Sequence, residues 1–355
     1  MKNFLLPTDI KEIVANMPIG ALAKFEGKHV LLTGGRGFLG RYFTEVFHYL
    51  NQKHLVDQPV RLTVMDNLIV AGKEGEKIPT MENMNFVLHD CIEPYPDLGK
   101  VDFIIHAAGI ASPAYYRKYP LQTLEVATTG LKNSLELARA NPGCKIAFFS
   151  SSEIYGDPDA LNVPTRESYR GNVACLGPRA CYDMSKRLGE TLVQIYHEQF
   201  GVHGTIIRPF NVYGPGMQKT DFRVLPNFAA RISENKALHV YGHGKQTRTF
   251  CYVTDAIEGF LRVLIDGVPG EPYNVGNPNP EISMINLIGR VSKAVGNDSV
   301  KYQIVDYPDT YPADEPNRRC PDITKATQQL GYAPRIGLDE GLSRFFNWSE
   351  KAYRE

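Results

Sequence analysis

At 355 residues the chain is long enough to bury one large core or two modest ones. Its 39 Lys+Arg offset 39 Asp+Glu, so no net field draws it to nucleic acid or to an anionic membrane. Its apolar runs are strand-sized, far short of the roughly 20 residues that cross a bilayer. The opening MKNFLLPTDIKEIV carries acidic residues and no extended apolar stretch, unlike a signal peptide. Six scattered cysteines show neither CxxC pairs nor metal-ligand spacing, so they read as reduced thiols of a cytoplasmic protein that holds no metal.

In chain order, residues 1–27 form an N-terminal extension. Thr8 can cap a short helix over Asp9–Met17 with Ile10, Ile13 and Val14 on one face, packed on the domain or on a partner subunit. The stretch KHVLLTGGRGFLG (28–40) then joins an apolar strand pattern, His29–Thr33, to Gly34, Gly37 and Gly40 and to a helical pattern over Phe38–Leu50. Strand, tight turn and helix N-terminus in that order suit a pyrophosphate. Glycines let the backbone come close to it, and the unpaired N–H groups of the first helical turn, where Phe38 and Leu39 fall, attract it. The next strand, RLTVMD, ends at Asp66, followed by Asn67. A carboxylate at that tip can hold both hydroxyls of an adenosine ribose, which favours NAD over NADP. Asp66 lies further beyond Gly34 than the roughly 20 residues usual for this motif, the extra length falling in the polar stretch 51–59.

Strand patterns at Asn85–Leu88, Asp102–His106 and Lys145–Ser150, with a helix over Thr123–Ala140, continue the alternation. This is the pattern of an α/β Rossmann fold, a doubly wound parallel sheet whose ligands sit at the carboxyl ends of the strands. Those ends carry Asp90, able to accept from an adenine amino group, an inert Cys91 beside it, Ala107 and Ala108, and the serines 150–152. After a long helix, Cys181–Phe200, and a strand, Gly204–Arg208, the texture changes at Asn211. Gly and Pro become frequent (VYGPGM, DGVPGEPYNVGNPNP) and helices shorten. The expected division is an NAD-binding domain over 28–210 and a smaller, interleaved α/β substrate domain over 211–355.

Two segments carry reactive groups. Ser150-Ser151-Ser152-Glu153 closes a buried strand, and Tyr182-Asp183-Met184-Ser185-Lys186 opens a helix that places Tyr182 and Lys186 on one face. An ammonium near a phenol favours the phenolate, and a tyrosine so tuned can take the proton of an alcohol while the carbon is oxidised. Ser151 or Ser152 can hydrogen-bond that alcohol, and Glu153 offers a second acid/base. His106 reads as a packed histidine, Arg208 as structural or phosphate-binding, and His243 as a polar loop residue. Arg117 and Lys118 read as residues of an exposed loop, either of which could border the sugar pocket.

With GGRGFLG, SSSEIYG and YDMSK on one chain, residues 28–350 resemble the extended short-chain dehydrogenase/reductase superfamily of sugar-nucleotide epimerases and dehydratases. The stretches HDCIEP (89–94), ASPAYYRKYP (111–120), GPRACYDMSKR (177–187), YGHGKQTRTFCYV (241–253) and RRCPDI (318–323) are most similar to its UDP-glucuronate decarboxylases. The resemblance implies a retained NAD that oxidises carbon 4 of the sugar. Tyr182 would be the base, Lys186 would bind the nicotinamide ribose, and Ser151 would aid Tyr182. Glu153 would assist the oxidation or position the sugar, and Arg319 would stand near the sugar's carboxylate and protonate or stabilise the product. Arg248 would clasp the diphosphate, while Asn211, Arg223 and Tyr252 would line the nucleotide-sugar site. It also implies a homodimer built on two long helices per subunit. The sequence departs from the pattern at Gln122 and Ala127, where the family has Lys and Asn, and at Ala107-Ala108-Gly109-Ile110. A 4-epimerase, a 4-dehydrogenase or a 4,6-dehydratase acting on a UDP-, GDP- or dTDP-sugar therefore stays open, as does a non-catalytic NAD-binding protein. Against the dehydratase, Ser152-Glu153 lacks the Asp-Glu pair of that branch.

Overall fold

The structure is a computed structural model and describes residues 5–78, 80–297, 300–307 and 316–354. A short helix, α1 (Pro7–Asn16), precedes β1 (His29–Thr33), α2 (Phe38–Lys53), β2 (Arg61–Asp66), β3 (Met84–Leu88) and β4 (Phe103–His106). Next, α3 (Pro120–Glu125) runs through a π turn over Val126–Gly130 into α4 (Leu131–Ala140). Then come β5 (Lys145–Phe149), α5 (Ala180–Phe200), β6 (His203–Pro209), α6 (Val253–Asp266), β7 (Pro272–Val275) and α7 (Leu338–Ala352). The strand and helix patterns read from the sequence fall within a few residues of these bounds.

The seven strands form one parallel sheet in the order β7-β6-β5-β4-β1-β2-β3. HVLLT in β1 is buried at every position, as a strand covered on both faces must be. On α2, Tyr42, Phe43, Val46, Phe47 and Leu50 recur at helical spacing and are all buried. Removing side chains of this kind from water is worth about 1.5–3 kcal/mol each. The strand order reverses between β1 and β4, where successive connections leave in opposite directions and open a crevice at the carboxyl ends.

Beyond β6 the chain makes short ladders. Val212–Tyr213 pairs with Cys251–Tyr252, Leu238–Tyr241 with Tyr302–Val305, and Thr247–Arg248 lies between Ile282–Ser283 and Arg318–Arg319. In between, α6 packs on β5 and β6, and β7 joins the main sheet beside β6, so the two parts share one apolar core.

The first helix begins earlier than its expected cap. Pro7 occupies N1, where its fixed φ and missing N–H suit a helix start, and Leu6 flanks it without a side-chain cap. Thr8 therefore lies inside the helix. Ile10, Ile13 and Val14 are buried against α2 and α6, and Asp9 is fully buried with them.

Candidate active site

One wall of the crevice comes from the glycine turn. Gly34 has φ +69°, and a Cβ there would meet the Ala108 Cα at 2.6 Å, so only glycine lets the end of β1 touch the end of β4. A Cβ on Gly40 would strike the Gly34 carbonyl, which lets the first turn of α2 close on the loop. Gly37 stands at the N-cap of α2 and supplies no capping side chain. At the tip of β2 the Asp66 carboxylate accepts from the backbone N–H of Arg36 (2.8 Å) and Leu68 (2.7 Å). Burial pushes its pKa up and those bonds oppose the shift. Asn67 donates to Asp90 at 2.8 Å and ties the tip of β2 to the loop after β3. Cys91 is buried beside Gly130 of the π turn, and desolvation pushes its thiol up to about 12, consistent with an inert neighbour. Phe38, Leu39, Ala107 and Ala108 complete this wall of a cavity of about 410 Å³.

The facing wall carries the reactive groups. At the end of β5, the Ser151 Oγ accepts from the Glu153 N–H at 3.2 Å and starts a short 3-10 turn, Ser152–Tyr155. Tyr182 and Lys186 stand one turn apart on α5. Lys186 Nζ donates to the Phe149 carbonyl at 2.7 Å and lies 5.7 Å from the centre of the Tyr182 ring, on which Tyr116 stacks at 5.5 Å. The spacing suggested an ammonium lowering the phenol's pKa. Instead burial dominates at both groups. It holds Tyr182 up at about 12 against an opposing hydrogen bond to Ser151, and brings Lys186 down to about 8.

Beside them Glu153 accepts from two guanidinium groups, Arg319 Nη2 at 2.6 Å and Arg179 Nη2. Arg179 Nε also lies 3.5 Å from Asp183, whose carboxyl is pushed up to about 7 by burial and by the Glu153 charge. Arg179 was missed from sequence. Its signal was its position three residues ahead of Tyr182 inside GPRACYD.

Asn211, Arg223 and Arg248 also line the cavity, each engaged with protein as well. Asn211 donates to Thr249 O, Arg223 pairs with Asp221, and Arg248 donates to Thr247 O. Tyr252 is misplaced by the sequence reading. It is fully buried away from the cavity and donates to Asp9 at 2.9 Å, because its strand pairs inward with Val212–Tyr213. His106 is the packed residue expected. Its Nε2 donates to the Val126 carbonyl, its Nδ1 meets Ser134 at 2.9 Å, and burial lowers its pKa to about 3. Gln122 and Val126 face the cavity, while Ala127 is fully buried on the π turn. Gln218, Phe222, His239 and Tyr307 line it too, drawn from segments whose sequence spacing gives no motif, as does Tyr241, the first residue of YGHGKQTRTFCYV.

The sequence matches the NAD dependent epimerase/dehydratase family over residues 30–276. The chain belongs to that family. Among its relatives, UDP-glucuronic acid decarboxylase 5 of Arabidopsis thaliana is 39% identical over 314 residues, covering 88% of this chain and 86% of the relative. UDP-glucuronic acid decarboxylase 1 of Xenopus tropicalis is 36% identical over 335 residues, 94% of this chain and 75% of the relative. The fold is shared with DesIV, a dTDP-glucose 4,6-dehydratase of Streptomyces venezuelae solved with NAD and TYD bound. That match has a TM-score of 0.79 at 24% identity, over 91% of this chain and 97% of the other.

The protein is thus an NAD-dependent enzyme, and its residues fit the cofactor. A cradle that any Cβ at Gly34 would fill faces the bare first turn of α2, where the N–H groups of a helix start attract phosphate. Among the described residues no helix is long and apolar enough to cross a bilayer.

Proposed function

We propose that this enzyme converts UDP-glucuronate to UDP-xylose and carbon dioxide, retaining NAD through the cycle. The observation that carries the reading is the pair of arginines converging on Glu153 beside Tyr182 and Lys186, at the mouth of a glycine cradle. The relatives named as UDP-glucuronic acid decarboxylases support it.

On this reading residues 28–210 hold the cofactor. Gly34, Gly37, Phe38, Leu39 and Gly40 take its diphosphate, Asp66 and Asn67 the adenosine ribose, and Asp90 the adenine. Lys186 takes the nicotinamide ribose, with Cys91, Ala107 and Ala108 packing against the cofactor. Residues 211–355 mainly hold the nucleotide sugar, through Asn211, Arg223 and Arg248. Bound NAD supplies the reversible two-electron acceptor for carbon 4 and, when oxidised, a positive ring that favours the Tyr182 phenolate.

Tyr182 removes the proton of the carbon 4 hydroxyl, which Ser151 or Ser152 orients by a hydrogen bond. The ketone so formed is β to the carboxylate on carbon 5. The bond to the carboxylate carbon breaks, its electron pair enters an enolate, and carbon dioxide leaves. A proton then adds at carbon 5, and Tyr182 returns its proton as carbon 4 is reduced, so one proton is consumed overall. Arg319 stands beside the carboxylate and steadies the charge as it moves into the enolate, while Glu153 orients Arg319 and positions the sugar.

NMR of the purified protein with UDP-glucuronate tests this, with UDP-xylose and carbon dioxide expected together. A carbon 4 epimer, a 4-keto sugar as the only product, or no turnover would overturn it.

We also propose a homodimer in the cytoplasm. Leu121 and Leu124 on α3 and Leu188 and Ile195 on α5 are exposed, and the two helices pack side by side, so together they offer an apolar face to a second copy. Sedimentation is expected to give a dimer that Leu188→Lys dissociates. The six free cysteines fit a reducing compartment.

A further inference from the structure

The cluster around Glu153 holds two guanidinium groups and two carboxylates, drawn from three places in the chain. Arg179 stands at the N-cap of α5, Asp183 one turn inside it, Glu153 in the turn after β5, and Arg319 in the short strand Arg318–Arg319. Arg179 and Arg319 are 7% and 6% exposed, and both line the cavity with Glu153.

Neither the charges nor the hydrogen bonds of this cluster close on themselves. Both arginines donate to the same Glu153 oxygen, Oε2. Arg319 Nε is buried and meets no acceptor among the described residues, and Asp183 Oδ1 is buried without a donor. An arginine carries five donors in a rigid plane that matches a carboxylate two at a time. A buried donor left unmet is costly, so a site of this kind favours a ligand that meets it. Burial and the neighbouring Glu153 charge hold the Asp183 carboxyl near neutrality in its titration. When it keeps its proton, two guanidinium charges face the single Glu153 charge, and one more carboxylate balances the cluster.

We propose that Arg179 is a specificity-determining residue: paired with Arg319 across Glu153, it reads the carboxylate of a uronate sugar and selects against the same sugar bearing a hydroxymethyl group. The inference rests on the reading of the enzyme as acting on UDP-glucuronate and adds the residue that enforces that choice. Asp183 acts through Arg179, as a positioning residue that fixes the guanidinium from the helix side.

The test compares UDP-glucuronate, UDP-glucose and UDP as ligands of the full chain with NAD, by calorimetry, for wild type, Arg179→Met and Arg179→Lys. Arg179→Met is expected to weaken UDP-glucuronate by about 10- to 100-fold, the range for a charge-assisted hydrogen bond. UDP and UDP-glucose are expected to shift by less than about threefold, since they lack the charge being read. Arg179→Lys keeps the charge but not the planar fork, and is expected to restore part of the loss. If Arg179→Met fails to fold, Arg179→Lys decides alone, by a selective loss for UDP-glucuronate. Equal weakening of all three ligands would reduce Arg179 to a structural role, and an unchanged preference for UDP-glucuronate would remove it from specificity; either overturns the inference alone. A wild-type chain that does not turn over UDP-glucuronate overturns the functional reading, and this inference with it.

Discussion

Two buried polar clusters meet at the carboxyl end of β5, and they are built on opposite terms. The first centres on Glu190, which accepts from Ser150 Oγ and from Arg208 Nε and Nη2. Arg208 Nη1 reaches the Tyr155 hydroxyl at 2.7 Å, Tyr155 donates to Asn274, and Asn274 donates to the carbonyls of Thr165 and Asp322. None of these side chains leaves a buried polar atom unmet. The second cluster, around Glu153, leaves Arg319 Nε and Asp183 Oδ1 unmet. Glu153, Arg179 and Arg319 line the cavity, whereas Glu190, Arg208, Tyr155 and Asn274 do not. A closed network fixes β5, β6, β7 and α5 to one another. An open one, on the same strand end, keeps hydrogen-bonding capacity for a ligand.

If the division is right, changes in the two regions separate activity from stability. The largest effect is expected at Tyr182. Tyr182→Phe removes the proton carrier and is expected to cut kcat by about 10²- to 10⁴-fold. NAD content and the melting temperature should stay near wild type, because the lost hydroxyl is not part of the closed network. A variant that loses NAD or unfolds would place Tyr182 among the supports instead.

Arg208→Met should do the reverse. It strands Glu190 as a buried carboxylate without its partner, which costs about 3–5 kcal/mol of stability. Denaturant unfolding reads that loss, while the protein that remains folded should keep its preference for UDP-glucuronate over UDP-glucose. An Arg208→Met protein of native stability would mean that the closed network is not the scaffold.

The contrast also marks how far sequence alone reaches. The glycine turn, the strand ends and the Tyr182–Lys186 pair were legible because each is set by local rules: a backbone angle, a strand period, a helix turn. Arg179 and Asp183 were visible as letters in GPRACYD, one helical turn apart, but the Glu153 and Arg319 that complete their cluster come from distant segments, and no spacing connects those. The same limit explains Tyr252, which sits beside substrate-side candidates in sequence yet turns into the core to meet Asp9. It explains the pKa of Tyr182 as well, since one-turn spacing places Lys186 nearby and says nothing of the burial that outweighs it.

Asp9 supplies the sharpest control. Its Oδ2 accepts from Tyr252 (2.9 Å) and Tyr42 (3.3 Å), while its Oδ1 is buried without a hydrogen bond, 3.5 Å from Arg344. It too is an open cluster, but Asp9 does not line the cavity, so an unmet atom is not in itself a binding site. What such an atom does away from a ligand is lower stability. Desolvation raises the Asp9 pKa from 3.8 to about 6, so between those values the folded chain binds more protons than the unfolded one. Stability then falls as pH rises through that window, and the penalty is complete once Asp9 is ionised in both states. Asp9→Asn keeps an acceptor for the two tyrosines and removes the titration. Between pH 5 and 7 wild type is expected to lose about 1 kcal/mol more than Asp9→Asn, measured by urea unfolding. Asp183 and Asp255 are shifted the same way, so the slope should shrink rather than vanish. Parallel slopes for the two proteins would show that Arg344 already neutralises Asp9, and the two open clusters would then differ in charge as well as in their access to the cavity.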